Sequence, residues 1–156
     1  MIEMEKEIKK IFRIKDAAVV KQKMIDAAEL IADQIDVLDN KEIYAASRYR
    51  YFYLSAMHEN PQNIVEYELW VALYAYEEVL FEKHGRNQKA AKLRQSIEKR
   101  GIIETANRSV LKGDTSGFTN LVRSGHVDAS FEIVVLKYPS YFDAETVSAA
   151  ITNLMT

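Results

Sequence analysis

Six basic residues have the types and spacing of a surface that could grip phosphates. Lys89, Lys92, Lys99 and Arg100 fall within about 100° of arc on a helix expected over 87–100, at 100° per residue. Arg108 and Lys112 carry the row into the next helix. Residues 81–120 hold nine basic and four acidic side chains, whereas the other 116 residues hold 12 and 19. Cations so arranged pair with the regularly spaced anions of a nucleic-acid backbone and release its counterions. The same row also serves as an ordinary solvated face opposite Leu93 and Ile97. The balance of the whole chain, 21 basic against 23 acidic for a net charge of -2, lacks the positive excess of a dedicated nucleic-acid binder. A helix-turn-helix hinged at Gly101 and reading bases from near Ile103 is disfavoured, because Glu104 would meet the phosphates.

A second constellation is aromatic. Ten of the chain's aromatic residues lie between Tyr44 and Phe81. Tyrosine has an apolar body and a polar tip, so a crowd of tyrosines marks either hydrogen-bonded core positions or the wall of a cavity. Tyr44, Tyr53, Tyr67, Trp70 and Tyr74 could line a pocket for a flat or apolar ligand, with Arg48 and Arg50 supplying charge. Plain helix–helix packing needs the same residues, and pockets are few in any protein.

Catalytic constellations are thin. His58, His84 and His126 are scattered, and none follows a glutamate at Glu-x-x-His spacing, so the di-iron bundle pattern is absent. The zinc-protease, phosphate-loop and serine-elbow motifs are absent too. Ser124, His126 and Asp128 are neighbours only in sequence, whereas triads converge through the fold. Glu77-Glu78 reads as a pair on an exposed helix edge. With no cysteine, disulfides, thiolate nucleophiles and cysteine-bound metals are excluded. No cofactor and no metal are expected.

The elements that would position these residues are helical. The chain has 156 residues with only 5 Gly and 2 Pro, too few for the turns of an all-β domain. Apolar residues recur at helical spacing throughout. Met4, Ile8, Ile11 and Phe12 mark a first helix, and Asp16 is a suitable N-cap for a second. The stripe of that second helix is Val20, Met24, Ala27 and Ile31, continued by Ile35 and Leu38. A third helix is expected over 41–58, with Ile43, Ala46, Tyr53, Leu54 and Met57 inward. Asn60-Pro61 reads as the N-cap and first residue of a long helix reaching about His84, with Gly85 as its terminator. That helix is apolar nearly all round, which places it centrally.

After Gly85 the expected helices shorten: 87–100, a break at Gly101, 102–112, 118–124 ended by Gly125, one capped by Asp128 and stopped by Pro139, and a last one opened by Asp143. The last helix should turn Val147, Ala150, Ile151 and Leu154 inward. Ile133-Val134-Val135 is the one run where a strand is conceivable. Without a partner strand it reads as helix.

The expectation is therefore an all-α, single-domain multi-helix bundle over 1–156, with longer helices in 1–84, a long central helix at about 61–84, and short helices in 86–156. The longest apolar run, Leu69 to Tyr76, is too short to span a bilayer, and MIEMEKEIKK lacks the pattern of a signal peptide. A cytoplasmic protein without membrane association is expected. Its expected role is that of a helical interaction or regulatory module, homo-oligomeric through its N-terminal helices. Nucleic-acid binding by the basic row and ligand binding among the tyrosines are the alternatives.

Overall fold

A computed structural model describes residues 2–84, 90–113 and 130–155. Among these the fold is all-α, with eight helices and no strand. The residues pack as two compact units, Met1–His58 and Glu59–Thr156. The change in helix length at Gly85 thus falls inside the second unit. The expected helix over 118–124, its Gly125 terminator and the Asp128 cap lie outside the described residues, as do Gly85 and Lys89.

The first unit contains α1 (Ile2–Arg13), α2 (Ala17–Ala32) and α3 (Val37–His58). The first two are separate helices. Asp16 caps α2 as expected, its carboxylate accepting from the Ala18 N–H at 2.9 Å. Val20, Met24 and Ala27 are buried at i, i+4 and i+7, and α2 packs against α3. Apart from Asn40 and Phe52, the buried α3 residues are small: Ala46, Ser47, Ser55 and Ala56. Small side chains at a helix contact let the two backbones approach closely.

The α2 stripe does not continue through Ile35 and Leu38. The chain reverses at residues 33–36, where Gln34 and Asp36 take φ values of 60° and 41° without glycine or proline. Asn40 braces this turn, its amide donating to the carbonyls of Ile35 and Asp36 at 2.9 and 3.2 Å. Consequently α3 begins at Val37 rather than Lys41, and Leu38 is exposed.

The second unit contains α4 (Ile64–His84), α5 (Ala91–Arg100), α6 (Ile102–Lys112), α7 (Phe131–Lys137), a one-turn 3₁₀ helix (Pro139–Tyr141) and α8 (Ala144–Met155). Asn60 ends a helix instead of starting one: it adopts φ 55° just beyond α3, a left-handed conformation that asparagine tolerates. The cap of α4 is Asn63, whose side chain accepts from the Glu66 N–H at 2.9 Å while Glu66 reaches back to the Gln62 N–H. Val65, Leu69, Trp70, Ala72, Leu73, Ala75 and Val79 of α4 are buried, and the helix packs against α6 and α7.

The β-branched run at 133–135 is helical, as expected. Ser130 caps α7 by accepting from the Ile133 N–H at 3.3 Å. Val110, Val135 and Ala150 form a core shared by α6, α7 and α8, with Phe131, Leu136, Phe142 and Val147 around it. Ile151, expected inward, is exposed. Asn107 of α6 joins this group to the start of α8, its Oδ1 accepting from the Thr146 hydroxyl at 2.7 Å.

Candidate functional site

The most elaborate polar arrangement among the described residues lies between α4 and α5. Glu77 is buried, and its carboxylate receives Arg94 in a two-point fork: Nε to Oε2 and a terminal nitrogen to Oε1, each at 2.7 Å. The backbone N–H of Ala90, just before α5, donates to Oε2 at 2.8 Å. Ala90 has no side chain that could cap α5, so Glu77 supplies the anion at that helix start. Tyr74, one turn earlier on α4, donates its hydroxyl to Glu59 at 2.7 Å and lies under the Arg94 guanidinium, 5.3 Å from ring centroid to Cζ. Glu59 also stands 3.8 Å from Arg94.

Burial first, and then the bond to Glu59, pushes the Tyr74 phenol up to about 12. The Glu77 carboxylate raises Arg94 further above its usual range. A phenol held neutral and a guanidinium forked onto a carboxylate are suited to fixing one helix on another. They are not poised for acid–base work near neutral pH. Glu77 and Glu78 are both buried, in place of the exposed edge expected from the sequence. Glu77 carries the signal that could have revealed this: it lies three residues beyond Tyr74 and four before Phe81, on an apolar side of its helix.

The seven aromatic and arginine residues proposed to line a pocket divide between the two units. Tyr44, Arg48, Arg50 and Tyr53 are on α3; Tyr67, Trp70 and Tyr74 are on α4. On α3, Arg48 lies over the Phe52 ring at 4.7 Å. Arg50 donates to the Ile14 carbonyl at 3.0 Å and lies 5.2 Å from the Tyr53 ring centroid. On α4, Trp70 is buried, Tyr67 is half-buried, and Tyr74 belongs to the Glu59–Arg94 network.

Two residues expected in the core, Tyr53 and Met57, are exposed instead. They belong to a stripe on α3. Leu38, Ala45, Tyr49, Tyr53 and Met57 are all exposed and fall within about 120° of arc. Tyr49 is 65 % exposed although Phe12 of α1 stands edge-on to it at 6.0 Å. Ala46 and Ala56 fall within the same arc and are buried, with Phe52 just beside it, so burial went to the small residues and exposure to several large ones.

The basic row is also on the surface. Lys92, Lys99 and Arg100 of α5 and Arg108 and Lys112 of α6 are exposed, while Arg94 points to Glu77. Arg108 is paired with Glu104 at 3.1 Å. The two helices meet at Gly101, whose φ of 84° and ψ of 165° suit only glycine. A Ser96–Thr105 hydroxyl pair at 2.9 Å ties them together.

No group of three or more metal-ligating side chains converges among the described residues, and no helix there is long and apolar enough to cross a membrane. No protein-family model, curated protein or solved structure matches the chain.

Proposed function

We propose that this protein is an interaction module that works by self-association, through the exposed face of its first unit, in the cytoplasm. The observation that carries the reading is the stripe Leu38, Ala45, Tyr49, Tyr53 and Met57, with Phe12 beside it. Tyrosine, phenylalanine and methionine are the residues enriched at the centres of protein interfaces. The large apolar side chains of this stripe, which flank the exposed Glu42, cost solvation free energy in water that a partner surface would recover.

The charge pattern favours a second copy of the chain as that partner. Residues 1–58 contain ten basic and ten acidic side chains, so the unit as a whole repels nothing. The charges are segregated. Residues 6–23 hold seven basic and two acidic groups; residues 26–42 hold six acidic and one basic. Because α2 and α3 are joined at residues 33–36, the acidic segment is the closed end of that helical hairpin. Two copies related by a two-fold axis and laid antiparallel would bring each acidic end to the other's basic end, with the stripes between them. The absence of cysteine supports a reducing, cytoplasmic setting.

The test is the mass in solution over a dilution series. The full chain should be dimeric at high concentration and dissociate on dilution. Tyr49→Ser with Tyr53→Ser should remain monomeric with unchanged helicity by circular dichroism. A wild-type chain that stays monomeric at its highest soluble concentration removes the reading, as does a double variant that dimerises equally well.

A further inference from the structure

Two basic rows in the second unit border one seam. At 100° per residue, Lys92, Lys99 and Arg100 each lie within about 60° of Ser96 on α5, and Arg108 and Lys112 lie within about 60° of Thr105 on α6. Ser96 and Thr105 are the residues joined by the 2.9 Å hydroxyl pair. The hydrogen bond therefore sets the rows on the two flanks of the α5–α6 contact. The single-residue link at Gly101 sends both helices away from the same point.

The charge along this seam is not consumed internally. Lys92, Lys99 and Lys112 are exposed and make no ion pair among the described residues. Arg100 donates to the neutral Ser96 hydroxyl at 2.6 Å. Arg94, the one basic side chain of α5 directed elsewhere, is paired with Glu77 and stands near Glu59. Glu98 lies on the far side of α5, about 200° from Ser96, and Glu104 is occupied with Arg108. Lys92, Lys99, Arg100 and Lys112 are thus exposed without a counter-charge among the described residues.

We propose that this seam binds the backbone of double-stranded nucleic acid, without reading its sequence. The argument for a duplex comes from what accompanies the cations. Residues 90–113 include no aromatic side chain, so the seam offers no platform on which unpaired bases could stack, the usual means of holding a single strand. Helix α5 exposes no large apolar side chain, so it lacks the anchor with which a basic helix enters a lipid surface. Regularly spaced phosphates on a stiff backbone are the ligand that suits cations fixed on two packed helices.

Anisotropy of a fluorescently labelled, mixed-sequence DNA duplex titrated with the full chain tests this. Binding should appear at low salt and weaken about a hundredfold between about 50 and about 200 mM salt, the dependence expected for about four phosphate contacts. Lys92→Gln with Lys99→Gln should reduce the affinity and flatten the salt dependence. Lys6→Gln with Lys41→Gln, which removes the same charge from exposed positions of the first unit, should leave both unchanged. No binding at low salt overturns the proposal, and so does an equal loss in the control variant. Tighter binding to a single strand of the same length, or to phosphatidylserine vesicles with the same dependence on Lys92 and Lys99, would replace the duplex by that partner. The oligomeric mass plays no part in these readouts, so failure here is distinct from failure of the self-association proposed above.

Discussion

Arg94 and Glu77 form a two-point fork whose carboxylate also takes the Ala90 N–H, so one buried side chain of α4 fixes both the start and the second turn of α5. The basic seam inherits its position from this joint. Lys92 lies between the two anchored residues, Ala90 and Arg94, and its neighbours follow along a helix held at its first turn. A charge that is structurally neutralised thereby orients those that are not.

Removing Arg94 should therefore cost more than a surface pair would. Arg94→Ala leaves the Glu77 carboxylate buried with only the Ala90 N–H, a loss on the order of 3 kcal/mol for breaking a buried ion pair from one side. Arg94→Lys keeps the charge and loses the fork, and should recover only part of that. Replacing both residues, Glu77→Leu with Arg94→Met, should be far milder than Arg94→Ala alone, because no unpaired charge remains. Urea unfolding midpoints decide it. A double variant as unstable as Arg94→Ala would show that packing, not the buried charge, sets the cost.

Tyr74 gives the same joint a pH dependence. Its folded phenol is pushed up to about 12 from an ordinary 10.0, by burial and by the bond to Glu59. A group whose folded value is raised contributes stability that is complete below the unfolded value and is lost as pH climbs through the folded one. The contribution should thus be intact below about pH 10 and disappear by about pH 12. In an alkaline titration followed by near-ultraviolet absorbance, Tyr74→Phe should remove one late-titrating tyrosine. Tyr138, raised mainly by its hydrogen bond with Glu68, should remain late. If the variant instead loses a tyrosine that titrates normally, the phenol is not held as described.

The helices were legible in the sequence because their signals are local. Asp16 caps α2, Gly113 closes α6 with φ 69°, and the apolar spacing of Ile102–Lys112 marks its full length. What misled were positions decided by tertiary context. Asn60-Pro61 has the chemistry of a helix start, yet Asn60 is equally suited to the left-handed conformation that ends α3, and Asn63 takes the cap. The reversal at 33–36 uses Gln34 and Asp36 at positive φ, so no glycine or proline announced it. For the candidate sites, exposure of the basic row was readable from amphipathicity. Exposure of Tyr53 and Met57 was not, since hydrophobic periodicity tells which residues share a face and leaves open whether that face meets a neighbour. The fork between Arg94 and Glu77 joins residues 17 apart across two helices, beyond what helical spacing can register.

Ser47 offers a prediction of opposite sign. It is fully buried on α3, and its hydroxyl has no hydrogen-bond partner among the described residues. A buried polar group without a partner costs about 1–3 kcal/mol relative to its solvated state. Small size is what the position requires, as its neighbours Ala46 and Ala56 show, and alanine keeps that size while removing the oxygen. Alanine also has the higher helix propensity, a further gain of a few tenths of a kcal/mol. Ser47→Ala should accordingly raise stability by about 1 kcal/mol, an unusual outcome for a core substitution. Ser47→Val, which adds volume where two helices lie close, should lower it instead. Thermal unfolding of the two variants beside the wild type separates the hydroxyl from the space it occupies. If Ser47→Ala is destabilised, the hydroxyl has a partner in solution, and its burial without one is wrong.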